Sequence, residues 1–118
     1  MSLSTFIGLG FKGKINRWFT LFLLPLGFLR YIKPFRWRGI KTCNLAVWKK
    51  NVLKINGFDE AYIGWGYEDS DLVIRLLRAG VKHKSGRFAT TVLHLWHPEN
   101  NHDGEGLNFN RFQKLQNS

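Results

Sequence analysis

Three carboxylates, Glu68, Asp69 and Asp71, stand within four residues, just after a tryptophan flanked by glycines at Gly64, Trp65 and Gly66. A carboxylate within hydrogen-bond reach of a hydroxyl can take its proton. An aromatic face beside it offers an apolar wall to the C–H face of a sugar ring, while the carboxylates accept from the ring hydroxyls. The two glycines let the backbone bend sharply and approach a ligand closely. The plainer reading of the same acids is capping chemistry at a helix start.

The element that must position them is the apolar-periodic run that follows. Leu72, Val73, Leu76 and Leu77 share one helical face, Arg75 and Arg78 point off it, and Gly80 stops the run, which predicts a helix over about 69–79. The acids then fall in or just before the first turn, where the helix dipole stabilises anions. Arg75 lies four residues after Asp71 and can pair with it along the surface.

Gly57-Phe58-Asp59-Glu60 followed by Gly64-Trp65-Gly66-Tyr67-Glu68-Asp69-Ser70-Asp71 resembles the acceptor-side motif of GT-A glycosyltransferases. The resemblance is to the C-terminal part shared by β-1,4-galactosyltransferases and many bacterial family 2 glycosyltransferases, and it covers Arg38 to Glu105. It implies an α/β chain: the C-terminal half of a GT-A fold, with short strands around one main helix and an apolar-basic segment ahead of it. It also implies an inverting, metal-dependent transfer of a sugar from a nucleotide-sugar donor, a UDP-sugar by expectation. The acceptor would be a glycan or lipid-linked glycan of surface polysaccharide or lipopolysaccharide synthesis.

The same resemblance assigns roles. Asp69 falls on the catalytic base and Glu68 orients the acceptor hydroxyls; Trp65 forms a stacking wall flanked by Tyr67, Gly66 lies with them in the substrate-binding loop, and Asn44 lies near the cleft. For Asn44 a turn or strand-end hydrogen bond is an equally good reading. His97 falls on the family's histidine metal ligand and His94 on that ligand's partner, although a histidine pair alone is more often solvated or hydrogen-bonded. Manganese is the expected ion, with magnesium the alternative. A complete enzyme of this kind carries a nucleotide-binding half upstream, with its own Asp-x-Asp motif. Asp69-Ser70-Asp71 spells that motif but occupies the acceptor position, and only residues 1–37 precede the matched region. The chain therefore reads as the acceptor-binding half of a glycosyltransferase, as a gene fragment, an excised piece or one part of a split enzyme, which leaves the activity of the isolated chain open. The alternative is a non-catalytic membrane-surface or carbohydrate-binding fragment.

Composition narrows the partners. The chain has 118 residues and a formal charge of +10, and all of its eight carboxylates fall between Asp59 and Glu105. A purely basic first half suits anionic partners such as lipid headgroups or phosphates. No zinc-finger spacing, RNA-binding aromatic signature or long basic run points to nucleic acid, so none is expected. Cys43 is the single cysteine, which excludes an internal disulfide, fits a reducing compartment and reads as a small buried hydrophobe.

Residues 1–14 are glycine-rich and lack the cleavage site of a signal peptide. Residues 15–30 are the most apolar stretch, but the uncharged part runs only from Trp18 to Leu29 and is broken by Pro25 and Gly27. A spanning helix needs about 20 apolar residues. Basic flanks with Trp18, Tyr31 and Trp37 among them favour an interfacial segment over residues 15–38, a core helix or hairpin being the other reading. The expected location is the cytoplasm, peripheral at the inner membrane face. After a basic linker over 33–40, short strands are expected at 42–48, 81–84 and 88–95, and a short helix at 49–55 ended by Asn56-Gly57. Residues 99–118 read as a mobile tail or loop. The domain expectation is 1–38 as the apolar-basic segment, 39–105 as the acceptor-binding domain and 106–118 as a polar tail.

Overall fold

The structure is a computed structural model that describes residues 24–90, 92, 98 and 101–118. These fall into two compact units. One is built from residues 24–32 and 84–90 with Val92 and Pro98, the other from 33–83 and 101–118.

In the first unit a 3-10 helix, Gly27–Tyr31, is tied to the second segment through Arg30. Its guanidinium donates to the carbonyls of Ser85 (3.1 Å), Arg87 (3.3 Å) and Leu24 (3.0 Å), while its own carbonyl accepts from the Ser85 amide (2.9 Å). One planar, multiply donating side chain thus satisfies three carbonyls that no ladder serves.

Among its described residues the second unit holds three α-helices: α1 (Lys49–Lys54), α2 (Glu68–Arg78) and α3 (Glu105–Asn117). The predicted central helix is α2. Leu72, Val73, Ile74 and Leu76 are buried, and together with Phe112 of α3 they make the buried apolar core among the described residues. α2 and α3 pack against each other. α1 ends where expected, with Asn56 and Gly57 both in the left-handed region. Among the described residues, no helix is long and apolar enough to cross a membrane.

Several local expectations are corrected. Residues 42–48 are not a strand: Thr42–Asn44 is a 3-10 turn, and the chain then passes from an extended Leu45 to an extended Trp48 without a ladder. Leu45 and Val47 are half-buried while Ala46 and Trp48 are exposed, so the period of two is real and only the pairing is absent. Residues 81–86 form no strand, and Arg87–Ala89 is a turn in which Phe88 has φ 60°, where the third strand was expected to begin. Cys43 is exposed, not buried. The Asp71–Arg75 pair forms, but inside the protein: their side chains keep 4% and 21% exposure. Arg75 does not point away, because its Nη1 donates to the carbonyls of Ile55 and Gly57, both at 2.8 Å, and so ties the end of α1 to α2. Most of the expected mobile tail is α3, a 13-residue helix. It is held by Phe112, which meets Trp37 edge-on at 5.4 Å, and by Arg111, which donates twice to Asp59 (2.9 and 2.7 Å).

Candidate functional site

The acids of the motif occupy the first turn of α2, as its spacing predicts. The turn is entered through Tyr67 in the left-handed conformation (φ 73°), so the chain changes direction between the Gly64-Trp65-Gly66 loop and the helix. Asp69 is half-buried and held across the unit by Thr42. The Thr42 amide donates to Oδ2 at 3.1 Å and the Thr42 hydroxyl donates to Oδ1. The 3-10 turn that replaces the expected strand is what aims both donors at one carboxylate. Each carboxylate oxygen keeps a further lone pair, so Asp69 is oriented without being saturated. Glu68 is half-buried beside it, with no hydrogen bond to its carboxylate among the described residues. Asp71 belongs elsewhere: it is buried, accepts from Arg75 Nε at 2.6 Å and from the Tyr62 hydroxyl at 3.3 Å, and serves the core.

Trp65 keeps 40% of its surface exposed. Its ring lies on the imidazole of His102, with centroids 4.0 Å apart and planes 39° apart. His102 in turn faces Glu105, Nδ1 to Oε2 at 3.3 Å. The loop is fixed from below by Asn108, which is buried and whose Nδ2 donates to the carbonyls of Ile63 and Trp65, both at 3.1 Å. The Trp65 amide donates to the Asp103 carbonyl at 3.2 Å. Gly64 and Gly104 meet at this crossing, both with positive φ (82° and 84°). A Cβ on Gly64 would run into the Asp103 carbonyl oxygen, and one on Gly104 would lie 2.6 Å from that of Ile63. Two backbones can cross this closely only without side chains.

The structure therefore brings Asp69, Glu68, Trp65 and Gly66 to one end of α2. Tyr67 turns its ring into α3, stacking on Phe112 (5.3 Å, 29°) and tilting against Phe109 (5.3 Å). Asn44 is exposed at the end of the 3-10 turn that carries Thr42. His94 and His97 lie outside the described residues. Among the described residues no group of three histidine, cysteine or acidic side chains could hold a metal ion. Thr42 and Asn108 carried no signal in the sequence, because each acts through a partner distant along the chain.

A family model described as the N-terminal domain of galactosyltransferase matches residues 27–98, more than half of the chain. The chain belongs to that family. It is also 41% identical over 64 residues to an uncharacterized glycosyltransferase, YfnE, of Bacillus subtilis (strain 168), an alignment covering 54% of this chain and 16% of that protein. The chain thus matches about a sixth of the length of this relative. No solved structure matches it. The matched family region contains Thr42, Trp65, Glu68 and Asp69, and ends before His102 and Asn108. The resemblance read from the sequence is upheld at this level: the chain holds part of a glycosyltransferase, galactosyltransferase-like in sequence.

Proposed function

We propose that this region is the acceptor-binding, C-terminal side of an inverting GT-A glycosyltransferase of α/β architecture, with Asp69 as the general base. The observation that carries the reading is the double hydrogen bond from Thr42 to Asp69 next to Glu68, at the end of α2 that the half-exposed Trp65 loop leads into. An inverting transfer needs a base whose lone pair is aimed at the acceptor hydroxyl, and Thr42 fixes the carboxylate's rotation while leaving it room to accept. Glu68 is free to receive further hydroxyls, and Trp65 offers a ring face for the sugar.

The donor is a nucleotide sugar, with a UDP-sugar the first to test, and the acceptor a glycan or lipid-linked glycan of surface polysaccharide synthesis. His97 and His94 would hold a divalent ion, manganese before magnesium. Such an ion supplies neutralisation of the charge that builds on the departing diphosphate. On this reading the nucleotide pocket is expected in another half of the enzyme.

Titration calorimetry of the chain with uridine diphosphate, with and without manganese, tests the donor side. Manganese-dependent binding that is lost in His97→Ala supports a donor site built by this chain. Absence of binding assigns that site to the other half. The base is tested separately in the enzyme that contains this region: Asp69→Asn is expected to abolish transfer with helix content unchanged, and turnover at the parental rate would remove Asp69 from the mechanism.

A further inference from the structure

The basic segment at residues 33–38 is not absorbed by the sugar-transfer reading, and its structure is more definite than a linker's. Lys33, Phe35, Arg36, Trp37 and Arg38 line an open pocket of about 440 Å³. The segment is pinned to its unit at both ends. The Pro34 carbonyl accepts from the His83 amide at 2.7 Å, and the Trp37 ring meets Phe112 of α3. Between these pins Arg36 Nε donates to the Arg38 carbonyl at 3.0 Å, closing the bend, and the Arg38 guanidinium lies 5.3 Å over the Trp37 ring.

Three cations are thereby held together on one bend, and all three are exposed. Among the described residues none is paired with a carboxylate: the ion pairs present are Asp71–Arg75, His102–Glu105 and Asp59–Arg111. Phe35 is 65% exposed between them. An unpaired cation cluster draws an anion, and guanidinium groups match phosphate oxygens in pairs. An exposed phenyl ring gains nothing from a free phosphate in water. Beside a bilayer it can enter the headgroup boundary while the cations reach the phosphates.

We propose that Lys33, Arg36 and Arg38 form a phosphate-binding site for an anionic lipid surface, with Phe35 as the group that inserts. The site docks the second unit on the membrane face and does not depend on the sugar-transfer reading.

Sedimentation of the full chain with vesicles of phosphatidylcholine, with and without phosphatidylglycerol, tests it. Binding is expected only with phosphatidylglycerol, weakening roughly fivefold for each of Arg36→Ala and Arg38→Ala. Phe35→Ala should weaken binding further at fixed charge. The substituted side chains are exposed, and unchanged helix content in circular dichroism verifies that the variants fold. Parental affinity in Arg36→Ala/Arg38→Ala, or equal binding to both vesicles, overturns the proposal. So does saturable binding of inorganic pyrophosphate with no vesicle binding, which would make the ligand a soluble phosphate. Tighter binding to an RNA oligonucleotide than to the vesicles at the same salt overturns it as well.

Discussion

Thr42 gives both of its hydrogen-bond donors to Asp69 across 27 residues of chain. A backbone amide and a hydroxyl from one residue converge on the two oxygens of one carboxylate, so the side chain cannot rotate without losing both bonds. This ties the geometry of the first turn of α2 to that of a segment well upstream of the motif.

In the enzyme that contains this region, Thr42→Val is expected to lower kcat by about 10- to 100-fold, as a mispositioned base does. KM should move little, and Thr42→Ser should recover most of the rate. Steady-state kinetics of the two variants check this. A KM effect with unchanged kcat would mean that Thr42 shapes the binding surface and not the base.

Asn108 is the support under Trp65. Asn108→Ala leaves the Ile63 and Trp65 carbonyls without their donor and is expected to cost about 1–3 kcal/mol in urea unfolding. Asn108→Asp should cost more, because an ionised carboxylate has no proton to donate and would face two carbonyl oxygens. Acceptor affinity should fall in both variants if Trp65 is the stacking wall.

The buried Asp71–Arg75 pair predicts an asymmetry. Arg75→Ala strands a buried carboxylate and two carbonyls, and is expected to cost about 3–5 kcal/mol. Replacing both partners, as Asp71→Leu/Arg75→Met, should recover a large part of that loss. A double variant less stable than Arg75→Ala by chemical denaturation would contradict the account.

Burial, followed by the charge of Asp71 and the hydrogen bond to it, pushes the Tyr62 hydroxyl from its ordinary 10.0 up to about 12. The folded protein favours the neutral phenol. Its contribution to stability is therefore intact below pH 10 and is lost as pH rises through about 12. Thermal melts between these values should show a decline that is smaller in Tyr62→Phe. An identical decline in both proteins would assign the loss to other groups.

How much of this was legible in the sequence follows from how local each cause is. α2 announced itself through its apolar stripe, its acidic first turn and Gly80, all contained within one stretch. α1 did so through Asn56-Gly57. α3 was missed because Asn, Gln and Gly dilute its stripe, and its burial comes from Trp37 and Tyr67, far away in sequence. The extended run after Asn44 shows the alternation of a strand, but a ladder needs a partner that no local pattern specifies. The acids of the site were visible by type and spacing. The orientation of Asp69 by Thr42, and the covering of Trp65 by His102, depend on contacts that leave no trace in spacing. The i,i+4 spacing gives Arg75 its partner but not its depth, because that rule fixes neighbours and not burial.

The matched family region ends at residue 98, yet Asn108 and Phe112, two of the most deeply buried side chains among the described residues, come after it. Phe112 closes the apolar face of α2, and Asn108 holds up the tryptophan loop. A piece cut to the family boundary would retain every recognisable letter of the motif and lose the floor beneath it. Where sequence likeness fades and where a protein can stand by itself are set by different pressures: the first by what chemistry tolerates, the second by what water must be kept from.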